Sequence, residues 1–588
     1  SDEVADLMRE ESRLMPPNLR LQQLQQMRQE ALLAGPELLG PVAGTGFDSL
    51  DYTDCCGGGG NVPPDPELAV GPNHIIAVVN TAFEIYDKSG NLLSGPTTFS
   101  SFFSGTPGCS NTGVFDPNAI YDEEADRFIL GIDGDGKDYC IAATTGSDPT
   151  GSWHTFAFVT DIGGNFFDYP HAGVGRNAIY MGANMFRRSG GFAEGRVWAI
   201  DKSALYSGAL VAVKTETIGL EDTPQPMNLH GFNQGTWPSS SPHYILTDSS
   251  FNGRHYGVWS WTDPFGENVF EKEGVVDLLS KTGVSPGLPV DQPQEGSGTL
   301  QANDFRVQDA EYRNGMVWMT ATIACNPGSG TVNCIQWAQI DPAVPTLIDA
   351  GVHATNGEYR SFPDLAVNDC DDMAVGFTKT SSSTFPSVYV SGRESGDTPG
   401  TLQSDVLLKA GEITYTSFES SSPRRWGDYT GMTIDPDGQT FWYLGEYSKD
   451  TGTTNGRWGT YIGSFTYPGC GGPLGPGKAY NPSPANTAVD VDRDSDLSWA
   501  AGSGAVSHNV YFGTVSTPGA GELVSEEQLG TTWQLDTLAS STTYYWRIDE
   551  VSGPDVTTGN VWSFTTQAEP QAPPTFRIAD VAHAVVQQ

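Results

Sequence analysis

The sequence is poor in positive charge. Only 30 lysine and arginine residues stand against 71 aspartate and glutamate residues, which gives a formal net charge of −41. A chain with this balance is repelled by the phosphates of nucleic acids and by anionic lipid headgroups. We therefore exclude nucleic acid as a partner. The surplus carboxylates are at the same time the oxygen ligands that Ca²⁺ prefers.

Long apolar runs and familiar cysteine spacings are also missing. No run approaches the roughly 20 apolar residues of a membrane-spanning helix, and none of the eight cysteines forms a CxxC or a Cys/His zinc pattern. Cys325 and Cys334 flank the glycine-rich turn "NPGSGTVN", which predicts a disulfide that staples a hairpin. The even cysteine count and the scarcity of lysine indicate an oxidising compartment. We expect a processed, secreted protein without a membrane span, outside the cell or at its surface.

The sequence contains no recognisable catalytic motif. The nine histidines are scattered, and there is no HExxH, no phosphate-binding loop and no GxGxxG between a strand and a helix. The spacing of residues therefore singles out no reaction, and enzymatic activity stays open at this point.

Glycine, proline and aromatic residues, by contrast, are abundant. The chain has 70 glycines, 39 prolines and 11% aromatic residues, a composition typical of turn-rich β proteins. Helical spacing of leucine and methionine is clear in residues 1–34, which we interpret as a helical N-terminal arm that packs on its own domain or binds a partner. Residues 35–62 end in "DCCGGGGNVPP" and are predicted to be a glycine-rich linker.

Residues 63–468 repeat one order of parts. Each unit has an aspartate, a short strand of small or apolar residues, a polar turn and an aromatic or aliphatic strand, as in "VFDPNAIYDEEADRFILGID". Six units carry the leading aspartate: Asp65, Asp116, Asp168, Asp309, Asp364 and Asp428. A seventh, "TWPSSSPHYILTDSSFNGRHYGVWSW", fits the strand pattern but lacks it. Seven units over roughly 400 residues predict a seven-bladed β-propeller.

These six aspartates are the candidate ligands of a metal site. The first strand of a propeller blade lines the central channel, so a residue at its start is expected near the channel mouth. Carboxylates gathered there would raise one another's pKa, and a bound Ca²⁺ would relieve the repulsion. The alternative is that each aspartate accepts backbone hydrogen bonds in its own turn.

Several of these motifs resemble a known group of proteins. "DPELAVGPNHIIAVVN", "SDPTGSWHTFAF", "FFDYPHAGVGRNAIYMGANMF" and "RRWGDYTGMTIDP" are similar to stretches of large secreted bacterial β-propeller proteins whose biochemical role is mostly unassigned. The likeness spans about 400 residues, and it implies the fold without implying an activity.

Sialidase-like propellers are the enzymes to compare. They carry Asp-box turns of the form S-x-D-x-G-x-T-W, but "SDPTGSW" has its aspartate next to the serine and one residue too many before the glycine. Such enzymes also need arginines that grip a carboxylate and a tyrosine nucleophile. Arg187, Arg188, Arg424, Arg425 and Tyr429 are available, although no spacing selects them.

A second domain is predicted after a linker at residues 469–483. Residues 484–567 alternate like the strands of a β-sandwich and resemble a fibronectin type III domain. The resemblance implies that Trp499 is the core tryptophan and that Tyr544 is the tyrosine of the corner motif. Residues 568–588 are interpreted as a proline-rich linker and a terminal strand.

The stretch "DVDRDSD" near the start of this domain is a further metal candidate. If it is extended, its four aspartates share one face of a strand, where mutual repulsion indicates a bound cation. The alternative is a solvated strand edge. They are Asp490, Asp492, Asp494 and Asp496.

Together these patterns predict an all-β protein with a short helical N-terminal arm, a seven-bladed β-propeller and a fibronectin type III-like β-sandwich. We expect an extracellular structural or adhesive surface protein, stabilised by Ca²⁺, that binds surface glycans or assembles with copies of itself through its terminal segments. The alternative is a secreted carbohydrate-active enzyme, a glycosidase or polysaccharide lyase, with its active site on a face of the propeller.

Overall fold

The structure is a computed structural model, which divides into two compact units, Ser1–Gly472 and Pro473–Gln588. We call them the ring unit and the C-terminal unit. The predicted arm at residues 1–34 and all but the first two residues of the segment 568–588 lie outside the described residues, so self-assembly through the termini stays a prediction. The described residues are 40–54, 63–109, 113–238, 242–416, 422–453, 455–468, 470, 476, 478–502, 505–553 and 555–569.

Seven antiparallel sheets, numbered here in chain order, make up the described ring unit. Sheet 1 has β2 (Glu67–Val70), β3 (His74–Val79), β4 (Ala82–Asp87) and β5 (Leu92–Thr98). Sheet 2 has β6 (Val114–Asp122), β7 (Arg127–Gly134), β8 (Asp138–Thr144) and β9 (Trp153–Val159). Sheet 3 has β10 (Phe166–Val174), β11 (Ala178–Phe186), β12 (Phe192–Asp201) and β13 (Val213–Gly219).

Sheets 4 to 7 continue the same pattern. Sheet 4 has β14 (Asp222–Pro226), β16 (His243–Asp248), β17 (His255–Thr262) and β18 (Val269–Asp277), and sheet 5 has β21 (Val307–Arg313), β22 (Met316–Cys325), β23 (Val332–Asp341) and β24 (Thr346–His353), with β15 (Asn228–Leu229) beside β21. Sheet 6 has β25 (Tyr359–Val367), β26 (Met373–Ser381), β27 (Thr384–Arg393) and β28 (Val406–Lys409). Sheet 7 has β29 (Gly431–Ile434), β30 (Phe441–Lys449), β31 (Arg457–Thr466) and β1 (Val42–Asp51). A small hairpin, β19 (Gln292–Pro293) and β20 (Thr299–Leu300), stands apart.

The first strands of the seven sheets close a ring. β2, β6, β10, β14, β21, β25 and β29 each contact the next one, and β29 contacts β2. Sheet 7 is completed by the beginning of the chain, since β1 pairs antiparallel with β31. At Gly431 the strands β29 and β2 approach so closely that a Cβ atom would lie 2.7 Å from Leu68 N. The predicted all-β class is confirmed, and a circle of four-stranded sheets agrees with a propeller.

The core lies between neighbouring sheets. Leu68 and Ile75 of sheet 1, for example, pack with Trp442 of sheet 7. Because a sheet has a neighbour on both faces, its central strands are buried on both sides, and all six residues of β3, "HIIAVV", are buried. This explains why such strands are continuous apolar runs and do not alternate.

β1 corrects the predicted linker at residues 35–62. Residues 42–51 of that segment pair with β31, and Ser49 and Leu50 are buried there. Most of "VAGTGFDSLD" is exposed because β1 is the outer strand of its sheet. The stretch therefore lacks the apolar pattern by which a strand is recognised.

The seventh repeat unit begins earlier than its sequence suggests. β14 is the first strand of sheet 4, and residues 227–242 separate it from β16. Within this connection, β15 pairs parallel with β21 of sheet 5. The leading acid of sheet 4 is therefore Asp222, which was missed because the inserted connection interrupts the spacing of strand, turn and strand.

Helices are short in the described part of the chain. They are α1 (Phe99–Phe102), α2 (Lys202–Ser207) and α3 (Leu279–Thr282), with 3-10 turns at Ile162–Gly164 and Ala520–Glu522. None of these helices has the length and hydropathy that a bilayer crossing demands.

Disulfides tie strands and loops of the ring unit together. The predicted bond between Cys325 and Cys334 is confirmed and joins β22 to β23. Cys109 is bonded to Cys140, and Cys370 to Cys470. Disulfides are typical of proteins outside the cytoplasm.

The C-terminal unit has two sheets that share one core. One contains β32 (Tyr480–Ser483), β34 (Leu497–Ala500) and β37 (Thr532–Trp533); the other contains β33 (Ala488–Val491), β35 (Ser507–Gly513), β36 (Leu523–Gln528), β38 (Thr543–Ser552), β39 (Asp555–Thr557) and β40 (Val561–Thr566). Trp499 is buried in this core with Trp546. Tyr544 Oη accepts a hydrogen bond from Ala539 N at 3.0 Å.

Candidate functional site

The first strands of all seven sheets line one cavity inside the ring, which we call the axial cavity. It holds about 510 Å³ of space free of protein atoms. Its lining is largely polar, and one side chain from each sheet, in order, is Glu67, Tyr121, His171, Gln225, Gln308, Asp364 and Thr433.

A recurring backbone conformation places several of these side chains. Residues near the start of five first strands have φ between 42° and 61°: Asp65, Asp116, Tyr169, Thr223 and Phe362. In four of the five, all but Asp116, the residue two positions further along lines the axial cavity: Glu67, His171, Gln225 and Asp364. Positive φ and the irregular strand register beside it, as between Asp168 and His171, are typical of β-bulges that redirect a side chain. The distance from this bulge therefore decides which side chain reaches the cavity.

The six predicted aspartates fall into two groups. Four lie near the starts of the first strands and form what we call the entrance cluster: Asp65, Asp116, Asp168 and Asp428. In three of them, Asp65, Asp116 and Asp428, carboxylate oxygens lie within 4.8 Å of one another. The other two, Asp309 and Asp364, line the axial cavity. The prediction of one ring of six equivalent carboxylates is wrong, because Asp364 corresponds to Glu67 of sheet 1 and not to Asp65.

Asp65 and Asp116 connect the starts of neighbouring sheets. Asp65 Oδ1 accepts a hydrogen bond from Asp428 N at 2.6 Å, and its Oδ2 accepts one from Asn80 Nδ2 at 2.5 Å. Asn80 Oδ1 accepts from Asp116 N at 2.6 Å, and Asp116 Oδ2 accepts from Tyr169 N at 3.1 Å. The bonds run from sheet 7 through sheets 1 and 2 to sheet 3, so these carboxyls clasp the sheets together.

Burial changes the protonation of Asp65 and Asp116. Burial, followed by the negative charge of Asp428, raises the pKa of Asp65 to about 8. Burial and then the carboxylate of Asp168 raise the pKa of Asp116 well above its usual range. Around neutral pH Asp65 is therefore largely protonated, which limits the repulsion within the cluster.

Asp428 is held by three groups. Its Oδ1 accepts from Asn303 Nδ2 at 2.7 Å, and its Oδ2 pairs with Arg425 Nη2. Its backbone oxygen accepts from Tyr169 Oη at 3.1 Å. The carboxylate is thus fixed in position and paired with a positive charge.

Arg306 brings a second positive charge to the entrance. Its guanidinium lies over the ring of Tyr169, 4.3 Å from the centroid, and it pairs with Asp304 through bonds of 2.6 and 2.8 Å. Arg306 and Arg425 both belong to the long connections that precede the first strands of sheets 5 and 7. These two connections meet where Leu300 bridges Arg424. The two connections therefore place both arginines on one side of the entrance.

Asp168 is the half-buried member of the entrance cluster. Burial and the charge of Asp428 raise the pKa of its carboxyl to about 6, although Arg306 and Arg425 lower it. Near neutral pH both the protonated and the ionised form are populated. A carboxyl of this kind can deliver a proton to a leaving group.

Phenylalanine side chains lie around the entrance. Phe166 precedes Asp168 by two residues and stacks on Phe115, with ring centroids 6.1 Å apart. Phe251 is 54% exposed and packs edge-on against Phe305, the residue before Arg306. Apolar ring faces next to a few fixed polar groups are what a small-molecule site offers.

Asp309 and Asp364 form a carboxyl pair in the axial cavity. The two groups lie within hydrogen-bonding reach of each other, and burial raises the pKa of both well above the usual range. No N–H or O–H donor among the described residues reaches Asp309 Oδ2 or Asp364 Oδ1. This pair differs from the clasps, whose oxygens accept from protein donors.

A buried histidine clamp lies at one end of the axial cavity. His230 Nδ1 is 3.3 Å from Glu123 Oε1, and its Nε2 is 3.1 Å from the cavity-lining Glu311. Burial opposes its protonation, but the two carboxylates outweigh burial and raise the pKa of His230 to about 10. The clamp holds the connection between β14 and β16 against sheets 2 and 5.

The aspartates of the C-terminal unit do not share a strand face. β33 ends at Val491, so Asp490 lies in the strand while the three that follow are in a turn and a loop. Asp494 Oδ1 accepts from Thr537 Oγ1 at 2.5 Å, and Asp496 Oδ1 accepts from Leu535 N at 3.0 Å. Among the described residues no three of the carboxylates Asp490, Asp492, Asp494 and Asp496 converge, because their turn is fixed by hydrogen bonds to the chain.

The entrance cluster fits a metal ion poorly. Protein donors reach five of the six oxygens of Asp65, Asp116 and Asp428, and Arg425 already balances charge there. Donor hydrogens compete with a cation for the same lone pairs. Calcium at this cluster therefore stays a prediction. The alternative, that the aspartates accept backbone hydrogen bonds, describes Asp65 and Asp116. Their donors belong to neighbouring sheets, however, and not to their own turns.

The candidate arginines are separated in the structure. Arg425 and Tyr429 lie at the entrance, whereas Arg187 and Arg188 are exposed on the hairpin of β11 and β12 and Arg424 donates to backbone oxygens. Arg306 and Asn303 were missed because their partners are far away in the chain; Asn303 and Asp428, for example, are 125 residues apart. The motif Asp304-x-Arg306 just before a strand is the local signal that could have suggested them.

No known protein family matches the chain, and no curated protein does either. Solved structures with some likeness include the Trypanosoma rangeli sialidase in complex with the inhibitor DANA, at 10% identity and a TM-score of 0.30, covering 76% of this chain and 83% of that one. The α-L-arabinofuranosidase Arb93A of Fusarium graminearum is 10% identical at a TM-score of 0.30, covering 59% and 92%. PorZ of Porphyromonas gingivalis, a surface component of its type-IX secretion system, is 10% identical at a TM-score of 0.23, covering 85% and 70%. Likenesses this weak carry no argument about activity.

Proposed function

We propose that the protein is a secreted glycoside hydrolase that acts on neutral glycans at the entrance of the ring, with Asp168 as the general acid and Asp428 as the second carboxylate. Glycoside hydrolysis classically needs two carboxyl groups that differ in protonation. Asp168, with its pKa near 6, supplies the acid. Asp428, fixed by Asn303 and Arg425, supplies a carboxylate at a defined position. The observation that carries the proposal is a half-buried carboxyl with a raised pKa, Asp168, at the same entrance as a carboxylate that Asn303 and Arg425 hold in place.

The charge of the entrance favours neutral substrates. Arg306 and Arg425 are each paired with an aspartate, so neither offers an unpaired charge to an acidic sugar. The net charge of −41 repels polyanionic chains. The carboxylate of Asp428 would stabilise the positive charge of an oxocarbenium-like transition state.

The aromatic rim supports a carbohydrate ligand. Phe166 and Phe251 are partly exposed, and the apolar face of a sugar ring could stack on them. These rings equally support a second candidate function, adhesion to surface glycans without turnover. That candidate keeps the same ligand and removes the role of Asp168.

We also infer that the seven sheets are the blades of a seven-bladed β-propeller and that the C-terminal unit is a fibronectin type III-like sandwich. The circular contacts between first strands support the former. The buried Trp499 and the hydrogen bond to Tyr544 support the latter. A sandwich of this kind spaces or displays the catalytic ring.

The hydrolase proposal is tested with the full chain on two kinds of substrate. Neutral oligosaccharides and uronic-acid oligosaccharides are incubated with the wild type, the Asp168→Asn variant and an Asp135→Asn control, whose aspartate is exposed. We expect new reducing ends from neutral oligosaccharides, with the wild type and the control equally active. Binding of the same neutral oligosaccharides without release of products would favour adhesion, and absence of both would contradict the proposal.

A further inference from the structure

We propose that the axial cavity binds one hydrated calcium ion through Asp309 and Asp364, with neutral oxygens from Gln308 and Gln225 completing the protein ligands. This site is distinct from the entrance cluster. The proposed hydrolysis does not require it, so the two proposals stand or fall separately.

The carboxyl pair has the free oxygens that a cation needs. Asp309 Oδ2 and Asp364 Oδ1 are buried, and apart from the hydrogen bond that the two carboxyls can share, no donor of the described residues reaches them. A buried acceptor without a donor is costly, and two carboxyls side by side add repulsion. A cation that bridges them removes both costs.

Gln308 has its amide turned so that its oxygen is available. Tyr169 Oη donates to Asp428 O at 3.1 Å, so it accepts from Gln308 Nε2 at 3.0 Å. This assigns the nitrogen of Gln308 to Tyr169 and leaves Oε1, which is buried, without a donor. The side chain is 3% exposed and lines the cavity next to Asp309. A hydrogen bond made at the entrance thus presents a carbonyl oxygen to the cavity.

Further oxygens lacking donors face the same space. Gln225 Oε1 and Tyr429 Oη are buried and receive no hydrogen bond from the described part of the chain, and both residues line the cavity. They lie on different sheets from the carboxyl pair. The polar groups without partners therefore surround the cavity and do not belong to one local turn.

The chemistry of these ligands favours calcium. Carboxylate and amide oxygens without a thiol are the donors of a hard cation. Ca²⁺ accepts six to eight oxygens in flexible geometry, whereas Mg²⁺ demands a tight octahedron. Water molecules would complete the shell.

The test measures metal content and metal competition in the full chain. Wild-type protein, the Asp309→Asn/Asp364→Asn variant and a Glu267→Gln/Glu271→Gln control are stripped with a chelator, equilibrated with Ca²⁺ and freed of unbound ion by gel filtration. Both double variants remove two formal charges, but Glu267 and Glu271 are exposed. We expect about one Ca²⁺ per chain in the wild type and the control, and at least a tenfold loss of affinity in the cavity variant.

A second measurement protects against a variant that does not fold. Tb³⁺ is titrated into stripped wild-type protein and its emission is excited through the aromatic residues, with Ca²⁺, Mg²⁺ and Na⁺ as competitors; Gln225→Met, which keeps the size of the side chain, is measured beside it. Competition by Ca²⁺ well before Mg²⁺ and weaker binding in Gln225→Met support the site. No bound Ca²⁺ in the wild type, equal affinity in all variants, or displacement by Na⁺ as readily as by Ca²⁺ would overturn it.

Discussion

The entrance cluster and the axial cavity both contain aspartates, but the carboxyl oxygens differ in the hydrogen bonds that they accept. At the entrance, Asp65 accepts from Asp428 N and from Asn80, so its oxygens are used by the protein. In the cavity, Asp309 and Asp364 keep oxygens that no described donor reaches. A carboxyl whose lone pairs are satisfied by neighbouring sheets is a structural element, and one whose lone pairs are free is a ligand.

A shift of two residues along the first strand separates the two roles. Asp65 has φ 42° at the bulge, and Glu67 two residues later lines the cavity. In sheet 6 the bulge residue is Phe362, with φ 52°, and Asp364 takes the place of Glu67. The position relative to the bulge therefore tells more about the role of a carboxyl than its place in a sequence repeat.

The largest effect is expected for Asp168→Asn, because it removes the half-buried entrance acid. General acid catalysis contributes about 10²- to 10⁴-fold, so kcat/KM for a neutral oligosaccharide should fall by that factor. The loss should be much smaller for a 4-nitrophenyl glycoside, whose leaving group needs little proton assistance. Comparable losses on both substrates would assign Asp168 to positioning.

The same variant makes a prediction about pH. The pKa of Asp168 is raised to about 6, and a general acid works in its protonated form. The kcat/KM of the wild type should therefore decline as the pH rises through about 6. Rates measured from pH 4 to 9 on the oligosaccharide check this, and a basic limb that is unchanged in the residual activity of Asp168→Asn would contradict the assignment.

The next largest effect is expected on stability, from Asp65→Ala. The change leaves Asp428 N buried without its acceptor, whereas Asn80 Nδ2 keeps its bond to Pro63 O. An unsatisfied buried donor costs about 1–3 kcal/mol, so the free energy of unfolding should fall by that amount. Urea unfolding measures it, and Asp536→Ala, at an exposed position, should stay within about 0.5 kcal/mol of the wild type. Equal stability of both variants would contradict the role of Asp65 in holding neighbouring sheets together.

The clasp also illustrates what the sequence could and could not predict. Strand rhythm and the Cys325–Cys334 hairpin are local, and both the repeated strands and this disulfide were predicted from adjacent residues. The bond from Asp428 N to Asp65 spans 363 residues, and the one from Gln308 to Tyr169 spans 139. Contacts of this kind exist only once the ring has closed, so no local pattern shows them.

The division of the six aspartates was beyond sequence reasoning for a second reason. Bulges change the register of a strand by one residue without leaving a consistent residue type, since Asp65, Tyr169 and Phe362 all occupy the positive-φ place. The repeats were therefore aligned by their aspartates, although the equivalent positions of the backbone are those with positive φ. Asp222 escaped notice because a connection of residues 227–242 follows its strand.

A smaller effect is expected for the pH dependence of stability, with metal removed by a chelator. The pKa of Asp65 is raised to about 8 in the folded protein and is about 4 when unfolded. Its contribution is therefore complete below about pH 4 and is lost as the pH rises through about 8, at up to about 1.4 kcal/mol per pH unit. Urea unfolding of the wild type and Asp65→Asn at pH 5, 6, 7 and 8 should give a flatter profile for the variant. A variant profile as steep as that of the wild type would show that other groups control the pH dependence.

The smallest effect is expected for Asp116→Asn. An amide oxygen can still accept from Tyr169 N, as Asp116 Oδ2 does at 3.1 Å, and an amide nitrogen beside Asp65 and Asp428 replaces repulsion with a donor. We expect the free energy of unfolding to change by less than about 1 kcal/mol, in contrast to Asp116→Ala, which loses the acceptor and should cost about 1–3 kcal/mol. If the asparagine variant were as unstable as the alanine variant, the negative charge of Asp116 would matter more than its hydrogen bond, and a cation at the entrance would become the better explanation of the cluster.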